Sequence, residues 1–350
     1  MVSDVEEREK GGAPTLASIA VRVGVSVNTV SRALRAPNTV RPELRRQIAK
    51  AMDELNYVPN RLAGGLSGTR SDIVGVVVTS LYYSEFASII DALQSALLKD
   101  NLQVMLANTR YDPDQEVTLV RSILSWRPAA VAIIGVDHPT KVTELLTSSG
   151  VPVIEMWDVG GDIIDSAVGM DHEGAGKAQA DHMIACGYRH LAFLGSMREN
   201  DMRAKKRARG AASAIAAAGL PDLVYAVRQE GGRPALGEEL THELLDSNPQ
   251  IDGIICNSDV VAFGVLKALH ERGRKLPGDV GVIGFGDSEA ANYVTPSLTT
   301  VKPDRHRIGE FTAELIVARI NGEEPRTNVV DWELLARNST RPPLKSLNGD

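Results

Sequence analysis

Apolar residues recur at helical spacing in three short runs between positions 15 and 55, each bounded by a residue that starts or stops a helix. Leu16, Ile19, Ala20 and Val23 make the first stripe, with Thr15 placed to cap its amino end. Gly24 supplies a tight turn, and Ser26 caps a second helix whose stripe is Val30, Ala33 and Leu34. A third helix enters through Pro42, without a capping side chain at Arg41, and aligns Leu44, Ile48, Ala51, Met52 and Leu55. Ala20 before the turn glycine and Val30 after it are what two helices crossing closely at a short turn require. The pattern predicts an all-α helix-turn-helix unit over 13–58. It leaves Val27, Asn28, Thr29, Ser31 and Arg32 on the outer face of the second helix.

The period changes at Ile73. Short apolar runs at 73–78, 104–107, 130–135 and 151–155 alternate with helical stretches that begin near Glu85, Pro113 and Pro139. A second series of strands follows at 190–195, 224–227, 254–257 and 280–285, again with helices between them. Two doubly wound parallel sheets are expected, giving a two-lobed α/β core over 71–343 and a tail at 344–350. Loops at the carboxyl ends of the strands would face a shared cleft, a natural place for a small molecule.

The outer face of the second helix has the chemistry to read a major groove. Asn28 can pair bidentately with an adenine edge, Arg32 with guanine or a phosphate, and Val27 can touch a thymine methyl. Thr29 and Ser31 suit backbone oxygens, as do the capping hydroxyls of Thr15 and Ser26. Beyond Pro59, the stretch Asn60-Arg61-Leu62-Ala63-Gly64-Gly65-Leu66 is weakly helical, because each glycine costs roughly 1 kcal/mol. Such a hinge, placed at 59–70, should fold on a partner. Charge agrees: residues 15–70 carry nine Lys or Arg against three acids, whereas the whole chain has a net charge of -7. A basic headpiece on an acidic body is the electrostatic footprint of DNA binding.

Composition excludes other classes. No run of 18 apolar residues occurs and the first residues are charged, so a cytoplasmic protein without a membrane span is expected. Cys186 and Cys256 lie in apolar surroundings and read as buried thiols. Gly281, Gly284 and Gly286 do not have dinucleotide spacing, and no phosphate-loop motif occurs. His182 and His190 lack the partners of a zinc site, and no nucleophile-base set stands out. Neither an enzyme nor a cofactor or metal site is expected.

On these motifs, residues 15–70 resemble the headpiece and hinge of the lac repressor family, and 71 to about 343 resemble its effector-binding core, which is periplasmic-binding-protein-like. The resemblance implies a transcriptional regulator, a repressor of operator DNA whose binding is controlled allosterically by a sugar-type effector. It also implies that Leu66, paired with its dimer mate, wedges into a base step and kinks the operator, with Asn60, Arg61 and Ala63 beside it. In the core it places Glu85 and Phe86 near the effector, with Tyr82 as a stacking aromatic and Arg110, Trp157, Asp287 and Arg305 among the loop residues. Arg203 stands where relatives grip a carboxylate, for which a guanidinium fork is suited. The neighbouring Lys205, Lys206, Arg207 and Arg209 read as a solvated helix face. In the Asn257-Ser258-Asp259 segment Ser258 replaces the family's usual asparagine, which shortens the amide contact or shifts it to Asn257. Gly286 stands where many members carry an acid, a loss that favours an anionic ligand or else reflects a tight turn.

Segments such as LSWRPAAVAIIG, GVPVIEMWD and ARNSTRPP most resemble gluconate-operon repressors. They point to a sugar acid such as gluconate or a ketogluconate. Reading a pseudo-palindrome requires a twofold axis, hence a homodimer. The alternatives are a cytoplasmic sugar-binding module without a DNA role and a regulator responding to a neutral sugar or nucleobase.

Overall fold

A computed structural model describes residues 13–59 and 71–344, and the chain divides into two units at Ser71 and Asp72. In the first unit three helices form, α1 (Leu16–Val23), α2 (Val27–Arg35) and α3 (Pro42–Glu54). Thr15 accepts a hydrogen bond from the Ser18 amide, and Ser26 accepts one from Thr29, so both starts are capped as the side chains dictate. Gly24 closes α1 in the left-handed region at φ 74°, which only glycine enters cheaply. Arg41 caps nothing. Ile19, Ala20, Val30, Ala33, Ile48 and Ala51 form the small core. Leu34 is a correction to the expected stripe: it is 37% exposed, because it lies past the edge of the face that meets α1 and α3. An Arg22–Glu54 pair at 2.8 Å ties α1 to α3 at the surface.

The second unit has two six-stranded sheets. Its first lobe is built from β1 (Ile73–Val78), α4 (Ser84–Leu97), β2 (Gln103–Asn108), α5 (Pro113–Ser125), β3 (Ala130–Ile134), α6 (Thr140–Ser149), β4 (Val153–Asp158) and β5 (Ser166–Met170). The second lobe continues with α7 (His172–Ala185), β6 (Leu191–Ser196), α8 (Met202–Ala217), β7 (Val224–Arg228), α9 (Pro234–Ser247), β8 (Gly253–Cys256), α10 (Asp259–Glu271), β9 (Gly281–Phe285) and β10 (Thr299–Pro303). The chain then returns: α11 (Arg305–Ile320) packs on α4, β11 (Thr327–Val329) joins the first sheet and β12 (Trp332–Leu335) the second. The lobes are therefore linked three times, after Met170, after Pro303 and after Val329.

The strand orders are β11-β5-β4-β3-β1-β2 and β12-β10-β9-β8-β6-β7, parallel throughout except for β12 against β10. The central strands β1, β3, β4, β8 and β9 are buried almost end to end, as expected when helices cover both faces. In each sheet the order reverses beside the first strand of its lobe, so the loops after β1 and β3, and after β6 and β8, open at switch points. Cys186 and Cys256 are free and buried. Among the described residues no helix is long and apolar enough to cross a membrane.

Candidate functional site

In the headpiece, Val27, Asn28 and Arg32 are exposed on α2, whereas Thr29 and Ser31 are half-buried. The Thr29 hydroxyl lies 2.8 Å from that of Ser26, and the Ser31 hydroxyl accepts from Arg35 at 2.6 Å. Thr15 is engaged in its reciprocal cap with Ser18. The first two turns of α2 thus display one amide, one guanidinium and one small apolar group, held by a capped and cored scaffold. Asn60, Arg61, Ala63 and Leu66 lie outside the described residues.

In the second unit the strand-end loops converge on a cavity between the lobes. Tyr83, Glu85 and Phe86 reach it from the start of α4, Tyr111 from the loop after β2 and Trp157 from β4. From the other lobe come Ser196, Arg198, Asp201, Arg203, Arg207, Asn257, Ser258 and Phe285. Phe86, Phe285 and His172 surround Trp157 with ring centroids 5.8, 6.3 and 5.8 Å away, an edge-to-face aromatic wall. Trp157 holds this place at φ 79°, a left-handed backbone that costs on the order of 1–3 kcal/mol and marks a constrained site.

Arg207 is the largest departure from the sequence reading. It is buried rather than on a solvated face, since the α8 turn that exposes Arg209 and leaves Lys205 half-buried points Arg207 inward. Its guanidinium lies 4.0 Å over the Phe285 ring, donates through Nη1 to His172 Nδ1 at 2.9 Å and through Nη2 to the Asn257 carbonyl at 3.1 Å. Burial brings its pKa down to about 10, which leaves it charged at neutral pH. Because His172 Nδ1 accepts from Arg207, its Nε2 carries the proton and donates to the Trp157 carbonyl at 3.0 Å. Burial, then Arg207, hold His172 well below its usual pKa and therefore neutral.

Arg203 is 6% exposed and pairs through Nε with Asp201 at 3.3 Å. Burial works against its charge, but Asp201, Tyr111 and Asp158 outweigh it and raise the pKa. Arg203 Nη1, Arg207 Nε, Asn257 Oδ1 and Glu85 Oε2 are all buried without a hydrogen-bond partner. Four such atoms around one cavity constitute a ready set of donors and acceptors, because an unpaired buried polar group costs about 1–3 kcal/mol. Burial pushes the Glu85 carboxyl upward in pKa.

The remaining sequence-predicted residues fall elsewhere. Tyr82 is 64% exposed and, with Arg110, borders a side opening beyond Tyr83. Asp259 is buried behind Ser258, where it accepts from Thr300 Oγ1 at 2.6 Å and the Ser288 amide at 2.7 Å. Asp287 pairs with Arg337 at 2.6 Å, and Arg305 donates to the Asp287 carbonyl at 3.2 Å. Gly286 has φ 125°, and a Cβ there would strike Glu85 Oε1; its missing side chain makes room for that carboxyl. Lys206 pairs with Asp158 across the lobes at 2.6 Å. Tyr111, Ser196, Arg198 and Asp201 were not expected at the cavity, and only their position at strand ends signals them. Among the described residues Glu238, His242 and Glu271 have metal-ligand spacing, but Lys267 already bridges the two carboxylates at 2.5 and 2.8 Å.

Comparison with known proteins finds two family matches along the chain. Residues 15–60 match the profile of bacterial regulatory proteins of the lacI family, and 180–340 that of a periplasmic binding protein-like domain. The HTH-type transcriptional regulator GntR of Pseudomonas aeruginosa is 35% identical over 333 residues, covering 94% of this chain and 96% of the relative. A LacI-family transcriptional regulator from Silicibacter pomeroyi superposes with a TM-score of 0.88 at 31% identity, covering 94% of this chain and 100% of that one. A transcriptional regulator CelR–cellobiose complex matches at a TM-score of 0.69 and 28% identity, covering 93% and 99%.

Proposed function

Because the chain belongs to the lacI family of bacterial regulatory proteins and is a DNA-binding transcriptional regulator rather than an enzyme, we propose that its interlobe cavity binds a sugar acid that controls operator binding. Gluconate and ketogluconates are the first candidates, on the resemblance of the core segments. The observation that carries the reading is the pair of buried guanidinium atoms, Arg203 Nη1 and Arg207 Nε, left without partners beside an aromatic wall. A carboxylate satisfies such donors in charge-assisted bonds, the aromatic faces border the carbon atoms next to it, and Asn257, Ser258 and Glu85 answer the hydroxyls nearest that end.

The protein acts as a homodimer in this proposal, with Val27, Asn28 and Arg32 reading base edges and Thr15, Ser26, Thr29 and Ser31 serving phosphates. Leu66 wedges the operator, with Asn60, Arg61 and Ala63 beside it. Effector shifts the population between two lobe arrangements, through contacts such as Lys206–Asp158 and His172 to the Trp157 carbonyl that span the lobes. The acid releases DNA by favouring the arrangement that binds operator less well.

A neutral sugar is the second reading, favoured by the carboxylates Glu85 and Asp201 at the same cavity. Fluorescence anisotropy on a labelled operator selected from random DNA, titrated at fixed salt with sugar acids and neutral sugars, separates the two. Release by an acid alone supports the proposal; release by a neutral sugar alone replaces it with the second reading.

A further inference from the structure

The cavity between the arginines is small, about 50 Å³, room for one or two waters. Directly beyond Tyr111 and Arg203, which line both spaces, lies a second cavity of about 530 Å³. This volume falls in the range of small-molecule sites, roughly 300–1,000 Å³. Its walls come from four strand-end loops: Thr79 after β1, Tyr111 after β2, Asp137 and His138 after β3, and Glu199 and Asn200 after β6. The two spaces differ in charge. Three arginines, Arg198, Arg203 and Arg207, outnumber two acids at the first, whereas Glu116, Asp137 and Glu199 outnumber Arg203 at the second.

Polar groups here are built in. His138 is fixed between Glu116 at 2.7 Å and the Gly135 carbonyl at 3.0 Å, with its side chain 3% exposed. Arg203, itself buried, leaves Nη1 without a partner at the boundary between the cavities, close to Gly135. A site with one cationic and one carboxylate-rich compartment suits a ligand with an anionic end and a hydroxyl-rich end, since carboxylates accept from hydroxyls.

We infer that the second cavity is a glycosyl subsite and that the preferred effector is an aldobionic acid, an aldonic acid carrying a further sugar unit. The inference rests on the sugar-acid reading above. The aldonate carboxylate meets Arg203 and Arg207, and the appended sugar fills the space bordered by Asp137, His138 and Asn200.

The test is calorimetry on the full chain with gluconate, cellobionate, lactobionate and cellobiose. Cellobionate or lactobionate is expected to bind at least about tenfold more tightly than gluconate, the gain of one or two buried hydrogen bonds. Asn200→Trp, at the exposed rim, narrows the second cavity and should weaken the aldobionates more than the shorter gluconate, bringing the affinity ratio towards one. Asp137→Ala, also exposed, gives the same direction without added bulk. Gluconate binding as tightly as both aldobionates, with neither variant altering the ratio, overturns the glycosyl subsite alone. Binding of cellobiose with no acid bound overturns the sugar-acid reading itself.

Discussion

Gly176 on α7 sits against the Arg207 carbonyl on α8, so closely that a Cβ at position 176 would collide with it. Gly210 makes the reciprocal approach to the Glu173 carbonyl. Two glycines thus let α7 and α8 cross backbone to backbone, and that crossing sets the distance between His172 and Arg207, which are bonded at 2.9 Å. The site's deepest guanidinium is positioned by helix packing remote from any ligand.

Gly176→Ala should therefore affect both stability and response. Overpacking of this kind costs about 1–3 kcal/mol, read as a lower urea midpoint at unchanged slope. Separation of α8 from α7 should also weaken effector affinity, measured by calorimetry below the unfolding range. A variant with normal midpoint and normal affinity would show that the crossing yields without cost.

Arg203 invites a charge-against-shape comparison. Losing charge-assisted hydrogen bonds to a carboxylate costs about 1.5–3 kcal/mol, or roughly 10–100-fold in affinity. Arg203→Ala should lose effector response by that margin and still bind operator with unchanged affinity. Arg203→Lys retains charge but not the planar fork, and should recover only part of it. Full recovery by lysine would mean that charge alone is read.

Most of the architecture was legible because it depends on periodicity. The three headpiece stripes, their caps at Thr15 and Ser26 and the apolar runs of β1 to β4 and β6 to β9 follow directly from residue order. Strands β5 and β10 to β12 did not stand out. Ser166–Met170 contains Gly169, whose bare backbone fits against Asp158, while Thr299–Pro303 carries an exposed lysine and ends in proline. Their strand character comes from pairing partners distant in sequence. The same limit governs the site: Arg207 looked solvent-facing within a run of basic residues, and only the fold brings Phe285 and His172 to it.

Asp259 supplies a pH signature. Burial raises its pKa from 3.8 to about 7, against the opposing hydrogen bonds from Thr300 and Ser288. The folded protein therefore holds a proton that the unfolded chain releases near pH 4. Stabilisation from this group is complete below that pH and lost as pH rises through about 7. Relative to Asp259→Asn, the wild-type unfolding free energy should fall across this window by at most about 1.4 kcal/mol per pH unit. Urea titrations of both proteins between pH 4.5 and 8 provide the check, and parallel profiles would refute the assignment.

Asn28 and Leu66 test the two modes of DNA reading. Asn28 is exposed on the first turn of α2, where a bidentate amide to adenine contributes about 1–3 kcal/mol of discrimination. Asn28→Ala should lower operator affinity and flatten preference at one base pair per half-site in a competition assay. Because the residue is neutral, the salt dependence of binding should keep its slope. Leu66→Ala should instead weaken binding by losing the wedge, with base preference at the α2 contacts retained and operator bending reduced. Both variants should keep wild-type effector affinity, since neither position belongs to the second unit. Equal loss of operator and effector binding in Leu66→Ala would exclude a wedge and indicate a general defect of folding.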